Sequence, residues 1–198
     1  ITKSDILGHL MPFIYRDWSQ TGIAEFYNNL VKNGYHIIYL TARNIGQANK
    51  TLNYLKSVRQ KGISLPEGPL ITSPDTLYES IKREIIIKNP EVFKIRVLRE
   101  LKKLFGGTAD FNPIYGGFGN KETDAIAYAV IGVSKKRIYT INPDGDIFML
   151  KTGVVTNYVQ LNSQVSTLFP PFQTDANPSE ESDTISMETL KDRASDLV

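Results

Sequence analysis

Residues 35–41 have the sequence YHIIYLT, and this run decides the fold class. It is rich in β-branched and aromatic residues and alternates little between apolar and polar positions, which is typical of a strand buried on both faces in a parallel sheet. His36 within the run is expected to be a hydrogen-bonded core residue. Asn33-Gly34, directly before the run, predicts the end of a helix. The sequence therefore predicts a helix that leads into a central strand.

Helix and strand patterns alternate along the rest of the chain. After residues 35–41 we predict, in chain order, a helix at 45–58, a strand at 69–72, helices at 75–88 and 90–105, a strand at 113–118, a helix at 125–130, a strand at 137–141, a hairpin partner at 147–150 and a last helix at 158–168. This alternation favours an α/β fold with a doubly wound, mostly parallel sheet and helices on both of its faces.

Charge divides the chain into two parts. The whole chain has a net charge of +2, but residues 173–198 hold seven acidic residues against Lys191 and Arg193, so residues 1–172 carry about +7. We predict one folded domain over residues 1–172 and a disordered acidic tail over residues 173–198. The basic body suits an anionic partner such as lipid headgroups, nucleic acid or a phosphate substrate, although nothing in the sequence requires contact with nucleic acid.

The composition excludes two kinds of feature. The chain has no cysteine, so disulfides and thiolate metal sites are excluded. No apolar run approaches the roughly 18 residues that a membrane-spanning helix needs.

Thr41, Ala42 and Arg43 follow the first predicted strand, at the strand end where ligands bind in doubly wound sheets. A hydroxyl at this position can bond a phosphoryl oxygen, together with backbone N–H groups of the following helix. The alternative interpretation is that Thr41 caps a turn.

Asn120 and Asp124 follow the strand predicted at 113–118, on a tight loop that enters a helix. Amide and carboxylate oxygens suit Mg²⁺, which takes few protein ligands and keeps several waters. The alternative is an Asn turn, with Asp124 placed near a helix N-terminus for its favourable interaction with the helix dipole. Lys94 lies in the first turn of a helix, where a cation is unfavourable unless an anion compensates it. Lys88 is the competing candidate for a phosphate-binding lysine.

The order of these residues resembles the haloacid dehalogenase superfamily: a hydroxyl after a strand, a lysine at a helix start, then G-(D/N)-x-x-x-D. Several segments sharpen the resemblance to lipins, and residues 1–9 (ITKSDILGH) are similar to the stretch directly after the lipin D-x-D-G-T motif. The resemblance runs from Ile1 to about residue 171. The other segments that carry it are Asp17-Trp18, Gly22-Ile23-Ala24, Asn33-Gly34-Tyr35, Ala42-Arg43, LPEGPL at 65–70, and Phe118-Gly119-Asn120 with Asp124.

The resemblance implies a Mg²⁺-dependent phosphatase that converts phosphatidate to diacylglycerol. The first Asp of D-x-D-G-T would attack phosphorus to give an aspartyl phosphate, and the second would act as acid and base. By similarity, Thr41 with Ala42 and Arg43 binds the phosphoryl group, Lys94 pairs with nucleophile and phosphate, and Asn120 and Asp124 belong to the metal site. Neither catalytic Asp is in the chain, which starts where the motif would have ended. We therefore expect a fold that lacks its first strand, and a chain that is inactive by itself.

The family also implies partners and a location. The expected partners are phosphatidate, an anionic membrane surface and the amino-terminal lipin domain of the same parent chain. The expected location is the cytoplasmic face of the endoplasmic reticulum and nuclear envelope, or the nucleus. Trp18 and residues 13–15 could insert at headgroup depth or form a core cluster. Residues 179–183 (SEESD) resemble an acidic kinase site, which would make kinases and phosphatases further partners.

Two other functions remain open. One is a non-catalytic phosphatidate sensor, such as the related lipid-transfer proteins whose lipin-like domain lacks the catalytic pair. The other is a haloacid dehalogenase phosphatase for soluble phosphates. The residues upstream of Ile1 would separate the enzyme from the sensor, since a sensor would have one of the two aspartates replaced.

Overall fold

The computed structural model describes Ile1, residues 19–73 and residues 91–172. The helix predicted at 75–88, Lys88, Trp18 and the acidic tail lie outside these parts.

The described residues form a mixed α/β structure with small sheets, which confirms the α/β class. Its helices are α1 (Ile23–Lys32), α2 (Ala48–Ser57), α3 (Glu91–Leu104), α4 (Glu122–Val130), α5 (Tyr158–Ser163) and α6 (Val165–Leu168). Its strands are β1 (Tyr39–Asn44), β2 (Arg59–Gln60), β3 (Ile63–Ser64), β4 (Leu70–Ser73), β5 (Gly117–Gly119), β6 (Ile138–Ile141), β7 (Ile147–Met149) and β8 (Val155–Thr156).

The strands form three sheets within the described ranges. β1 pairs with β4 in parallel, and β2 pairs with β3 as a short antiparallel hairpin. The third sheet has the order β5-β6-β7-β8, in which β5 and β6 are parallel and the other pairs are antiparallel. Parallel pairing therefore occurs twice, and the single doubly wound, mostly parallel sheet remains a prediction.

β1 lies further along the chain than the sequence predicts. The ladder begins where the Tyr39 N–H donates to the Pro69 carbonyl at 2.9 Å, and it extends to Asn44. Tyr39 is opposite Leu70, the first residue of β4, so the ladder does not extend to the residues before Tyr39. His36 therefore lies outside the strand and is exposed to solvent, so its prediction as a core residue is wrong.

The strands bury side chains on two faces. Tyr39 of β1 and Tyr139 of β6 belong to one core, which they share with α1 and α5. Leu40 and Ile138, the neighbours of those tyrosines along the chain, pack into a second core with residues of α3 and α4. Apolar residues on both faces of a strand are what the run at residues 35–41 predicts, although only its last three residues lie in β1.

Helix ends and turns follow local sequence. α1 ends at Lys32, and Gly34 then adopts a left-handed conformation with φ of 89°, as the Asn33-Gly34 pair predicts. The hairpin predicted after residues 137–141 is present as the antiparallel pair β6–β7. The single helix predicted at 158–168 is interrupted at Gln164 and forms the two short helices α5 and α6. No helix within the described ranges combines the length and apolar character that crossing a bilayer requires.

Candidate functional site

Lys94 and Asp124 form an ion pair between two helices. Lys94 lies in the first turn of α3, Asp124 lies in the first turn of α4, and the Lys94 Nζ donates to Asp124 Oδ1. Only 16% of the Lys94 side chain and 7% of the Asp124 side chain are exposed, so little water screens the pair. A lysine ammonium is unfavourable at a helix N-terminus, and the carboxylate supplies the anion that compensates it.

The second oxygen of Asp124 closes the turn between β5 and α4. Asp124 Oδ2 accepts hydrogen bonds from the N–H of Asn120 at 3.0 Å and from the N–H of Lys121 at 3.2 Å. An acidic residue in the third position of a helix commonly bonds the N–H at the helix start in this way. Asp124 therefore fixes both the ammonium of Lys94 and the backbone that carries Asn120.

Two glycines allow α4 to approach β5 closely. A Cβ on Gly119 would lie 2.2 Å from the Cβ of Asp124, and a Cβ on Gly117 would lie 2.5 Å from the ring of Tyr128. The Tyr128 hydroxyl donates to the Phe118 carbonyl between these glycines at 3.3 Å. Burial, with the negative charge of Asp124 as a smaller cause, raises the pKa of Tyr128. The sequence predicts no structural role for Gly117 or Tyr128, although Gly119 belongs to the recognised G-N-x-x-x-D pattern.

Thr41, Ala42 and Arg43 lie in the second half of β1. The Thr41 Oγ1 accepts a hydrogen bond from the N–H of Arg43 at 3.3 Å, which is the contact that the turn-capping interpretation predicts. Because Oγ1 is the acceptor in this bond, the hydroxyl proton of Thr41 can still be donated to a phosphoryl oxygen. The Arg43 guanidinium donates to Thr51 Oγ1 of α2 at 3.3 Å, and Ala42 is exposed.

Ser73, at the end of β4, is a polar residue that the sequence indicates only as the end of a strand. Its side chain is 2% exposed, and no hydrogen-bond partner is found for its hydroxyl among the described residues. Ser73 lies opposite Asn44 in the parallel pair, directly beside the strand that carries Thr41. A buried hydroxyl without a partner is destabilising, so a polar group that reached this strand end would be favoured there.

The structure brings half of the predicted site residues into direct contact. Lys94, Asn120 and Asp124 are joined through the carboxylate of Asp124, next to the end of β5. Residues 41–43 lie in β1, which pairs with β4 and belongs to a different sheet from β5. The link between the two groups is apolar: Leu40, next to Thr41, packs against the second core, to which α3 and α4 contribute. The hydrogen bonds found for the side chains of Thr41 and Arg43 stay within residues 41–51.

The described residues do not by themselves fit a magnesium site. The Asp124 carboxylate already accepts bonds from one ammonium and two N–H groups, and a metal ion would have to compete with Lys94 for Oδ1. Within the described ranges, no three His, Cys, Asp or Glu side chains are grouped so that they could hold a metal ion. Asn120 is exposed at the end of β5. The assignment of Asn120 and Asp124 to the metal therefore stays a prediction.

Comparison with known proteins identifies what this chain is similar to. The family model described as LNS2 (Lipin/Ned1/Smp2) matches residues 1–170. The chain is 44% identical over 176 residues to Nuclear elongation and deformation protein 1 of Schizosaccharomyces pombe, a match that covers 87% of the chain and 27% of that protein. Phosphatidic acid phosphohydrolase 1 of Saccharomyces cerevisiae is 41% identical over 187 residues, which cover 89% of the chain and 22% of that protein.

A human relative extends the same result. Phosphatidate phosphatase LPIN1 of Homo sapiens is 42% identical over 172 residues, which are 86% of the chain and 19% of that protein. The chain thus spans only about a fifth to a quarter of the length of these relatives. Two of the three names describe hydrolysis of phosphatidate.

Proposed function

Because the chain belongs to the LNS2 (Lipin/Ned1/Smp2) family, we propose that it is part of a phosphatidate phosphohydrolase that converts phosphatidate to diacylglycerol. The names of the yeast and human relatives support the substrate and the reaction. In the chain itself, the buried Lys94–Asp124 pair is the observation that carries the proposal. Asp124 in this pair fixes the position of the Lys94 ammonium where α3 begins, next to the backbone turn after β5.

The proposed chemistry needs positive charge and hydrogen-bond donors around a phosphoryl group. The attacking carboxylate would be an Asp upstream of Ile1, which would form an aspartyl phosphate as the bond from phosphorus to the diacylglycerol oxygen breaks. The second Asp of the motif would protonate that oxygen and then activate the water that hydrolyses the aspartyl phosphate. Lys94 would pair with a phosphoryl oxygen and with that carboxylate, and because Asp124 already orients the ammonium, little reorganisation would be required. Thr41 would donate its hydroxyl proton to a second oxygen, with the backbone of Ala42 and Arg43 beside it.

One edge of β1 and one edge of β5 have no strand beside them among the described residues, which leaves room for a strand that carries the upstream Asp. Among the described residues, β1 pairs with β4 alone and β5 pairs with β6 alone. Side chains of β1 and β6 enter the same two cores, so both sheets have helices on both faces. We propose that a strand upstream of Ile1 lies between β1 and β5, completes one doubly wound sheet and presents its aspartates at the strand ends.

The proposed cofactor is Mg²⁺, which would neutralise charge on the phosphoryl oxygens. Asn120 and Asp124 are its predicted ligands, although the described residues do not by themselves fit this ion. We further propose the amino-terminal lipin domain and an anionic membrane surface as partners, and kinases and phosphatases that act on the tail. The proposed location is peripheral, at the cytoplasmic face of the endoplasmic reticulum and nuclear envelope, or nuclear.

The experiment compares lysine variants in the parent protein that includes the residues upstream of Ile1. Phosphate release from phosphatidate in mixed micelles is measured for Lys94→Ala, Lys88→Ala and Lys103→Ala. We expect Lys94→Ala to lower kcat by about 100-fold or more, as removal of one preorganised charge contact does, and the other two variants to keep most of the activity. A large loss in Lys88→Ala alone would show that the assigned lysine is wrong.

The same assay separates the two alternative functions. A parent protein that binds phosphatidate vesicles but releases no phosphate would be a sensor, and the proposed reaction would then be wrong. Equal rates on small phosphate esters and on phosphatidate would instead indicate a phosphatase for soluble phosphates.

A further inference from the structure

The exposed face of α3 carries a basic groove. This open groove, the α3 groove, is lined by Val92, Ile95, Arg96, Arg99, Glu100 and Lys103. Glu100 pairs with Lys103 at 2.9 Å, and both side chains are largely exposed. No acidic side chain in the described parts of the chain pairs with Arg96 or Arg99. The α3 groove therefore has a net charge of +2 and an apolar floor that includes Val92, which is 42% exposed.

The last described residues are fastened to the end of α1. The Asn33 side-chain amide donates to the Phe169 carbonyl at 2.7 Å, and the Phe172 N–H donates to the Asn33 carbonyl at 3.1 Å. The Tyr35 hydroxyl donates to the Pro170 carbonyl at 2.9 Å, and the rings of Tyr35 and Phe172 lie 4.8 Å apart. The starting point of residues 173–198 is thus fixed on the folded body.

This starting point lies near the C-terminal end of α3. The ring of Phe172 is 6.3 Å from the ring of Tyr115, which follows Pro113 by two residues. Pro113 in turn packs against Gly107, where an added Cβ would lie 2.9 Å from the proline ring, and the Gly107 N–H donates to the Lys102 carbonyl at 2.7 Å. A few residues therefore separate Phe172 from the helical turn that carries Lys103.

Length and charge both match residues 173–198 to the α3 groove. An extended chain covers about 3.3 Å per residue, so residues 173–183 can reach about 36 Å from Phe172. The α3 groove from Lys103 to Val92 is about 17 Å long at 1.5 Å per residue of helix, which leaves about 19 Å for the path from Phe172 to Lys103. Residues 173–198 hold seven acidic residues and two basic ones, the opposite sign to the α3 groove.

We propose that residues 173–198 dock along the α3 groove of the same molecule. In this arrangement Glu180, Glu181 and Asp183 face, in that order, Lys103, Arg99 and Arg96, and apolar residues further along the segment cover Ile95 and Val92. Each exposed charge pair is weak, but the covalent link gives the segment an effective concentration in the millimolar range. Because Ser179 and Ser182 lie among the acidic residues, phosphorylation of either would strengthen the contact. The contact is independent of the proposed enzymatic function.

The test uses the whole chain, which has no cysteine, so that Ser182→Cys provides one site for a nitroxide label. Paramagnetic broadening of the backbone amide signals is measured on the labelled chain. We expect strong broadening at the exposed positions of α3 and little on α2. Combined Arg96→Ala and Arg99→Ala substitutions should weaken it by at least about threefold, and about 1 M salt, with a Debye length of roughly 3 Å, should remove it.

The matched control removes two exposed lysines from another helix. Lys50→Ala with Lys56→Ala on α2 lowers the net charge equally and should leave the broadening of α3 unchanged. Equal broadening of α2 and α3, or no response to the arginine substitutions, would overturn the proposal. A mixture of spin-labelled chains and isotope-enriched chains measures broadening between molecules. If all of the broadening arises in this way, the α3 groove binds a second copy of the chain, and the proposal is overturned.

Discussion

Asp124 receives hydrogen bonds from three donors that belong to two parts of the chain. Lys94 precedes it by 30 residues, whereas the N–H groups of Asn120 and Lys121 are local. The local bonds follow from the position of an acid in the first turn of a helix, where the sequence places Asp124 for its favourable interaction with the helix dipole. The contact with Lys94 depends on how α3 packs on α4, so no local pattern predicts it, and the family resemblance implies only that Lys94 pairs with the nucleophile and the phosphate.

Asp124→Asn should destabilise the protein by about 3 kcal/mol or more, because it leaves the buried ammonium of Lys94 without a counter-charge. Lys94→Met should cost less, since Asp124 keeps its two backbone donors. The double variant should recover part of the loss caused by Asp124→Asn, as expected for coupled residues. The free energy of unfolding from urea titrations of the whole chain measures all three.

The exposed pair Lys103–Glu100 provides the control for this cycle. Glu100→Gln should change the free energy of unfolding by less than about 0.5 kcal/mol, because water screens both side chains. If Asp124→Asn were as mild as Glu100→Gln, the ammonium of Lys94 would not depend on this carboxylate, and the assignment of a buried Lys94–Asp124 ion pair would be wrong.

At the scale of elements, the packing of α4 on β5 depends on the absence of side chains at two glycines. Gly119→Ala should destabilise the protein by about 2–3 kcal/mol, because its Cβ would overlap Asp124 and force the two elements apart. Gly153→Ala is the reference: its surroundings are open and its φ is 66°, so it should cost only about 1 kcal/mol of backbone strain. Thermal unfolding of both variants gives the comparison.

A second measurement separates a local effect from global loss of structure. In Gly119→Ala the amide protons of Asn120 and Lys121 should exchange with solvent faster, because their bonds to Asp124 are broken. Protection of these amides equal to that in the unchanged chain would mean that α4 tolerates the added methyl group in place.

The elements themselves were predictable to different degrees. α1, α3 and the β6–β7 hairpin follow from apolar spacing and turn residues, which act locally. β1 was predicted too early because residues 35–38 have strand composition but pair with no strand among the described residues. Pairing of β1 with β4 depends on residues more than 25 positions away. The strands β2, β3 and β8 have two residues each, too few to show a periodicity.

At the scale of the whole molecule, the first core is built around aromatic rings. Phe118 stacks on Tyr139 with ring centroids 4.6 Å apart, and Phe26 contacts both Tyr27 and Phe118. The sequence indicates that these residues are apolar enough for a core, but the order of strands and the sharing of rings between α1 and β5 are non-local. The alternation of helix and strand patterns suggests one continuous sheet, but it does not give the order of the strands.

This core makes the stability of the whole molecule sensitive to alkaline pH. Burial raises the pKa of Tyr27 and of Tyr139 from 10.0 to about 12. Above about pH 10 the unfolded chain loses these phenol protons, while the folded chain keeps them. The stability that the two buried tyrosines contribute is therefore complete below pH 10 and is lost as the pH rises towards 12. When the pH rises from roughly 8 to roughly 11, ionisation of each of these tyrosines in the unfolded chain should lower the free energy of unfolding by about 1.4 kcal/mol.

Urea titrations at the two pH values measure this loss, and Tyr27→Phe shows how much of it comes from one ring. Phenylalanine cannot ionise, so the variant should lose about 1.4 kcal/mol less than the unchanged chain over the same interval. Its stability at pH 8 serves as the baseline, since removal of the hydroxyl also changes the contact with Tyr158. An identical pH dependence in variant and unchanged chain would mean that Tyr27 ionises as readily when folded as when unfolded, which is incompatible with a buried aromatic core at α1.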